Sequence, residues 1–325
     1  MKVLSLFDGI SCGMVALERI GAKIDTYYSS EIDKNAIAIS KKNYPNIVRL
    51  GDVTKWREWD IDWSQIDLLI GGSPCQGFSF AGKQLNFDDP RSKLFFEFVD
   101  ILNYIKSKNP NVKFLLENVK MKKEYENVIT EKLGVDPMQI NSDCLSAQKR
   151  NRLYWFNWNV DMPTQTNNLV IKDILQPLED VEKEYYHKRT VEHIKSQGFV
   201  QASRMIQDEN SKCECLLARD YKDPKSIVQD GVLRRLTPIE YERLQTLPDD
   251  YTSGVCKSHR YTAIGNGWTV DVISHILKHI PLYQPNVCIY NDDLSCCYPF
   301  DDCMNCPAHP QRTDIYWGMT KGEII

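Results

Sequence analysis

Short apolar runs that end in a glycine or an acid, most of them followed by helical periodicity, recur along the first half of this chain. Val3-Leu4-Ser5-Leu6-Phe7 passes into Asp8-Gly9-Ile10-Ser11-Cys12-Gly13, after which Met14, Leu17 and Ile20 repeat at helical spacing up to Gly21. Ile24–Ser29 ends near Glu31 and precedes a helical stretch over Asp33–Ser40. Ile47–Leu50 leads to Gly51-Asp52-Val53, Ile66–Ile70 to Gly71-Gly72, and Lys113–Leu116 to Glu117-Asn118-Val119. Buried strands alternating with helices build a parallel α/β sheet covered on both faces. Ligands of such sheets sit outside the carboxyl ends of the strands.

Those strand ends carry the chemistry. Gly71-Gly72-Ser73-Pro74-Cys75-Gln76-Gly77-Phe78-Ser79 presents a thiol on a turn stiffened by proline and opened by glycine. A lone cysteine is more often a small buried hydrophobe, so its neighbours must decide. Glu31, about 20 residues past the first glycines, suits a ribose, with Ile32 against an adenine; it equally suits a helix N-terminus. Asp52 reads as a ligand for the same molecule or as a turn cap. The spacing Phe7-x-Gly9-x-x-x-Gly13 departs from the GxGxxG of dinucleotide enzymes and argues against NAD. Glu117 is either half of a buried ion pair or a partner of Cys75 in one pocket. Alternation places Gln148, Arg150 and Arg152 on one strand face.

A net charge of −4 over 325 residues does not announce a nucleic-acid binder. Any such contact must come from local clusters: Lys149/Arg150/Arg152, His187/Lys188/Arg189, Arg234/Arg235 and Lys257/His259/Arg260. Asp8 interrupts the first apolar run, which excludes a signal peptide, and no uncharged stretch spans a bilayer. A cytoplasmic protein is expected, or a nuclear one in a eukaryote, with its eleven cysteines reduced. From Asp161 to Gly231 apolar periodicity weakens, which suggests a small inserted domain. In the tail, Cys296, Cys303, Cys306 and His309 fit a tetrahedral zinc site, unliganded thiols or a disulfide.

Taken together, Pro74-Cys75, Glu117-Asn118-Val119, Gln148-x-Arg150-x-Arg152 and Gly265-Asn266-Gly267 occur in the motif order of a known family. Over residues 3–158 and 234–280 the chain resembles the cytosine-5 DNA methyltransferases. Phe7-Asp8-Gly9-Ile10 and Trp268 look more like the animal de novo enzymes than most bacterial ones. The resemblance implies a Rossmann-like S-adenosylmethionine-dependent methyltransferase sheet with a small target-recognition domain. Residues 1–160 would begin the catalytic domain, 161–231 recognise DNA, 232–282 complete the catalytic domain, and 283–325 form a Cys-rich extension.

By the same resemblance, Cys75, Glu117, Arg150 and Arg152 are catalytic. S-adenosylmethionine would lie against Phe7, Asp8, Gly9, Ile10, Gly13, Glu31, Ile32, Asp52, Val53, Ser73, Pro74, Asn266 and Trp268. Ser79, Asn118, Gln148 and Arg234 would meet the substrate, and Phe80–Arg91 would form a lid over it. Double-stranded DNA is the implied partner, together with a cognate restriction endonuclease. Leu233–Pro248 matches a further family segment, in which Thr237, Pro238 and Glu240 spell a capped helix start. A tRNA cytosine-5 methyltransferase would use the same chemistry. A non-catalytic DNA-binding relative would be expected to lose Cys75, Glu117 or Arg152, and all are present.

Overall fold

The structure, a computed structural model, describes residues 1–73, 90–164, 168–188 and 206–281. Strands β1 (Lys2–Leu6), β2 (Thr26–Ser30), β3 (Val48–Arg49), β4 (Leu68–Gly72), β5 (Lys113–Val119), β6 (Met138–Asn141) and β7 (Asn151–Phe156) form one sheet. Their order is β3-β2-β1-β4-β5-β7-β6. The first five are parallel to one another, and β7 runs antiparallel to both β5 and β6. The chain goes outward from β1 to β3 and then returns to β4 on the other side of β1. Strand order therefore reverses between β1 and β4, where a crevice opens at the carboxyl ends.

Alternation along the strands feeds two cores. Val3, Leu68, Ile70 and Leu115 join α1 (Cys12–Arg19), α2 (Lys34–Asn43) and α7 (Val270–Leu277) on one face. Leu4, Leu6, Leu69, Phe114 and Leu116 join α3 (Pro90–Lys108) and α4 (Lys123–Leu133) on the other. Each buried Leu, Ile or Phe contributes roughly 1.5–3 kcal/mol, so both faces of the central strands demand apolar residues. This is why the strands read as continuous apolar runs.

A smaller sheet is ordered β10-β9-β8, with β8 (Ile206–Gln207), β9 (Ser226–Gln229) and β10 (Val232–Arg235). The β9–β10 hairpin turns through Asp230 and Gly231, both at positive φ (49° and 79°). Asp-Gly between alternating apolar residues is a strong hairpin signal, and it went unread in the sequence because the surrounding periodicity is weak. The hairpin straddles the expected boundary at residue 231. Its Ile227 shares a core with Ile171, Cys213, Leu216, Leu236, Tyr241, Tyr261 and Ile264. Residues 1–280 form one compact unit. Among the described residues no helix is long and apolar enough to cross a membrane.

Helix α5 (Pro238–Leu244) begins as its sequence suggests. Thr237 accepts from the Glu240 N–H, and the Glu240 carboxylate accepts from the Thr237 N–H at 2.7 Å. The stretch before Trp268 is helical: α6 (Lys257–Asn266) runs up to Gly267 and buries Tyr261 and Ile264 one turn apart against α5. Gly265 lets α6 touch the backbone of Leu217 and Ala218. A Cβ there would stand 2.4 Å from the Leu217 carbonyl carbon, and backbone gives way less readily than a side-chain tip. Gly265→Ala is therefore expected to cost about 3 kcal/mol, read as a lower urea midpoint. An unchanged midpoint would mean that the 217–218 segment yields.

Candidate active site

The turn after β1 is wound through the left-handed region at Phe7, Gly9 and Ser11 (φ 57°, 58° and 61°). Asp8 holds it from beneath. One carboxylate oxygen accepts from Tyr27 Oη at 2.7 Å, the other from Ser11 Oγ at 2.6 Å and Ser29 Oγ at 2.8 Å. Burial raises the pKa of Asp8, and the hydroxyl donors oppose that rise. Gly13 packs α1 onto the sheet, since a Cβ would meet Ile70 Cδ1 at 2.4 Å. Ile10 is buried in the core, so its side chain supports the turn from below.

Glu31 accepts from the N–H groups of Gly9, Ile32 and Asp33, each at 2.8 Å. Its carboxylate ties the glycine turn to the residues that open α2, in keeping with the helix-start reading of this acid. Beside it Ile32 is 70% exposed. Asp52 caps the turn that follows, accepting from Thr54 N–H and Oγ, both at 2.9 Å. Val53 is largely buried in the second core.

At the ends of β4, β5 and β7 the charged groups converge. Gly72 is the register neighbour of Glu117, and Val119 that of Arg152. Arg152 Nε lies 3.0 Å from Glu117 Oε1, with side chains only 14% and 11% exposed. Trp268 Nε1 donates to Glu117 Oε2 at 3.1 Å. Asn118 donates to Ser73 Oγ at 3.1 Å while its own Oδ1 accepts from the Val119 N–H. It thereby ties the end of β5 to the residue that leads into Pro74 and Cys75. Asn118 is buried, and its side chain is engaged by Ser73 and the Val119 N–H.

Three other expected site residues are drawn inward. Arg150 is buried, and its guanidinium donates to the carbonyls of Leu216 (3.1 Å), Gly265 (3.2 Å) and Gly267 (2.9 Å). Burial, and then the neighbouring Arg152 charge, lower its pKa. It braces the segment before Trp268. Gln148 is fully buried, donating to Leu244 O and Gln245 Oε1 and accepting from the Leu216 N–H. Arg234 is fully buried in a two-pronged pair with Glu240, at 2.8 and 2.5 Å. The alternation expected over 148–152 fails because β7 begins only at Asn151.

Gln245 was missed. Its amide donates to Ile264 O and Gly267 O, and its oxygen accepts from Thr269 Oγ at 2.7 Å. The residues flanking Trp268 therefore hang on one buried side chain. No local pattern marks such a hub. Lys149 pairs with Glu214, and Lys257 with Glu182 and Glu184, so parts of the expected basic clusters are neutralised. Asn266 is the exposed last residue of α6. Pro74, Cys75, Ser79, residues 80–89 of the expected lid, Arg189, and Cys296, Cys303, Cys306 and His309 lie outside the described residues. Among the described residues no group of three His, Cys, Asp or Glu side chains is placed to hold a metal ion.

Comparison with known proteins agrees with this geometry. The sequence profile of the family described as C-5 cytosine-specific DNA methylase matches residues 1–169 and 138–281. The chain is 32% identical to Type II methyltransferase M1.ScrFI of Lactococcus lactis subsp. cremoris, over 85% of this chain and 77% of that protein. It is 30% identical to Type II methyltransferase M.NlaX of Neisseria lactamica, over 86% of this chain and 96% of that one. The fold is shared with the Entamoeba histolytica methyltransferase EhMeth at a TM-score of 0.68 and 18% identity, covering 86% and 97% of the two chains. A putative DNA modification methyltransferase encoded within an E. coli prophage superposes with a TM-score of 0.63 at 23% identity, covering 86% and 98%.

Proposed function

Because this chain belongs to the C-5 cytosine-specific DNA methylase family and is an S-adenosylmethionine-dependent DNA cytosine-5 methyltransferase, we propose that Cys75, Glu117 and Arg152 carry the reaction on a flipped-out cytosine. The observation that supports this reading best is the largely buried Glu117–Arg152 pair at 3.0 Å, beside the strand end that leads into Cys75. Carbon 5 of cytosine is a weak nucleophile. Addition of the Cys75 thiolate to carbon 6 makes it enamine-like. Glu117 shares a proton with nitrogen 3 and accepts from the exocyclic amine, and Arg152 holds the carbonyl oxygen, so the charge entering the ring is met by fixed groups. Loss of the carbon 5 proton and expulsion of the Cys75 thiolate restore the aromatic ring.

The residues at the β1–β2 end fit an adenosyl group. Glu31 is oriented by three backbone N–H groups next to the exposed Ile32, which pairs a hydroxyl acceptor with an apolar surface for a flat ring. When bound, S-adenosylmethionine supplies an electrophilic methyl group. Glu31 and Asp52 would take its hydroxyl and amino edges, and the turn at Phe7–Gly9 its nearer end. The base must leave the duplex stack to reach Cys75. Residues 161–231 would read DNA sequence, a cognate restriction endonuclease would share that site, and the enzyme would work in the cytoplasm of a bacterial-type cell.

The deciding assay incubates the protein with S-adenosylmethionine and unmethylated duplex DNA of mixed sequence, then digests to nucleosides for mass spectrometry. 5-Methyldeoxycytidine is expected, with none formed on a tRNA substrate run in parallel. Product confined to tRNA would overturn the substrate and keep the chemistry. A zinc ion on Cys296, Cys303, Cys306 and His309 would appear as stoichiometric zinc in elemental analysis of protein purified without chelator. Metal-free protein would remove that part of the proposal.

A further inference from the structure

Glu117 is held from both sides. Arg152 Nε stands on Oε1 at 3.0 Å, and Trp268 Nε1 donates to Oε2 at 3.1 Å. The two donors differ in what else they can do. Arg152 has further N–H groups and carries charge, whereas an indole has one N–H and no charge. The indole is also firmly placed. Gly267 O, immediately before it, accepts from Arg150 at 2.9 Å and from Gln245 at 3.1 Å, and Thr269, immediately after it, is tied to Gln245. The ring lies against two glycines, and at Gly72 the fit is tight. A Cβ on Gly72 would stand 3.0 Å from Trp268 Nε1 and 3.1 Å from Glu117 Oε2, and one on Gly13 would stand 3.5 Å from Trp268 Cζ3. The indole thus reaches from the first glycine turn to the carboxylate.

We propose that Trp268 is a positioning residue for Glu117, resting on the assignment of Glu117 to the cytosine ring. The terminal torsion of a glutamate is soft, and one donor on Oε1 leaves the carboxyl plane free to rock. A second donor on the other oxygen, from a ring pinned on both sides along the chain, sets that plane. A carboxyl group already in the orientation that meets nitrogen 3 and the exocyclic amine loses less freedom as charge develops in the base. The role concerns orientation, so it is expected in the rate of methyl transfer more than in cofactor affinity.

Trp268→Phe keeps an aromatic ring in the slot and deletes only the donor. Its kcat for methyl transfer is expected to fall about tenfold, while S-adenosylhomocysteine affinity and the KM for S-adenosylmethionine shift less than about threefold. In a Glu117→Ala background, where no acceptor remains, the same change is expected to cost little more, measured by single-turnover transfer. Should Trp268→Phe lose cofactor binding, Gly72→Ala decides in its place, because a methyl group there wedges between indole and carboxylate with both residues intact. Wild-type kcat in the folded variant used, or losses that simply multiply with Glu117→Ala, overturns the proposal. Glu117→Ala alone separates the two levels. If it leaves kcat unchanged, the assignment of Glu117 fails; if it cripples kcat while Trp268→Phe does not, only the positioning role fails.

Discussion

Cys75→Ala is expected to lower single-turnover methyl transfer by about 10⁴-fold or more, with S-adenosylmethionine binding kept. The size follows from what the thiolate does. Without addition at carbon 6, carbon 5 lacks the electron density to take a methyl group, and hydrogen bonds from Glu117 and Arg152 act on a charge that never forms. Loss of a general acid or base alone costs about 10²–10⁴-fold. A fall well below 10²-fold would therefore remove Cys75 from the nucleophile's role. Burial pushes the Cys12 thiol, behind the glycine turn, up to about 12, and that of Cys213 likewise, so both stay protonated at neutral pH. Calorimetric titration with S-adenosylhomocysteine, run on the same preparation, distinguishes a lost nucleophile from a lost fold.

Glu240→Ala is expected to destabilise the protein by about 3–5 kcal/mol, the usual cost of leaving one member of a buried pair alone. The site is closed on every side. Arg234 donates to both oxygens of Glu240, to Gln229 Oε1 at 2.7 Å and to Arg235 O at 3.1 Å. Glu240 also accepts from the backbone N–H groups of Thr237 and Gln176. Removing the carboxylate strands a guanidinium with no access to water, together with two amide donors. Replacing both members, Arg234→Met with Glu240→Leu, should recover part of the loss, because no charge is then left buried. Urea unfolding measures each step. If Arg234 instead contacted DNA, Arg234→Met would weaken DNA binding and leave the urea midpoint where it was; the burial of Arg234 argues for the opposite pattern.

The Arg234–Glu240 pair also shows what can be read before a structure exists. Thr237, Pro238 and Glu240 announced a helix start, since capping is a matter of residues three positions apart. The second task of Glu240, neutralising Arg234 across the end of β10, leaves no mark at that spacing. In the same way Asp52 fulfilled its local expectation as a cap, and Glu31 its expectation as an acid at a helix start. Gln148, Arg150 and Asn118 were assigned to chemistry because they are polar and sit in the right order along the chain. In the structure each of them is tied to other parts of the protein. The β9–β10 hairpin is legible in Asp230-Gly231, although the apolar periodicity around it is weak.

What the sequence determined by itself is therefore local or cumulative. Apolar runs of strand length, helical spacing, caps and the order of several motifs were enough for the sheet, its reaction class and the convergence of Cys75 with Glu117 as an expectation. Only the tertiary structure decided which polar side chains face a pocket and which satisfy buried backbone. A buried amide or guanidinium needs a partner whether it serves a ligand or the fold, so residue type cannot tell the two apart. The partners that settle it are remote: Gln148 meets Gln245, Arg150 meets Gly265 and Gly267, and Glu117 meets Trp268 across 151 positions of chain. Those distances close only when the last helix returns to the first strand.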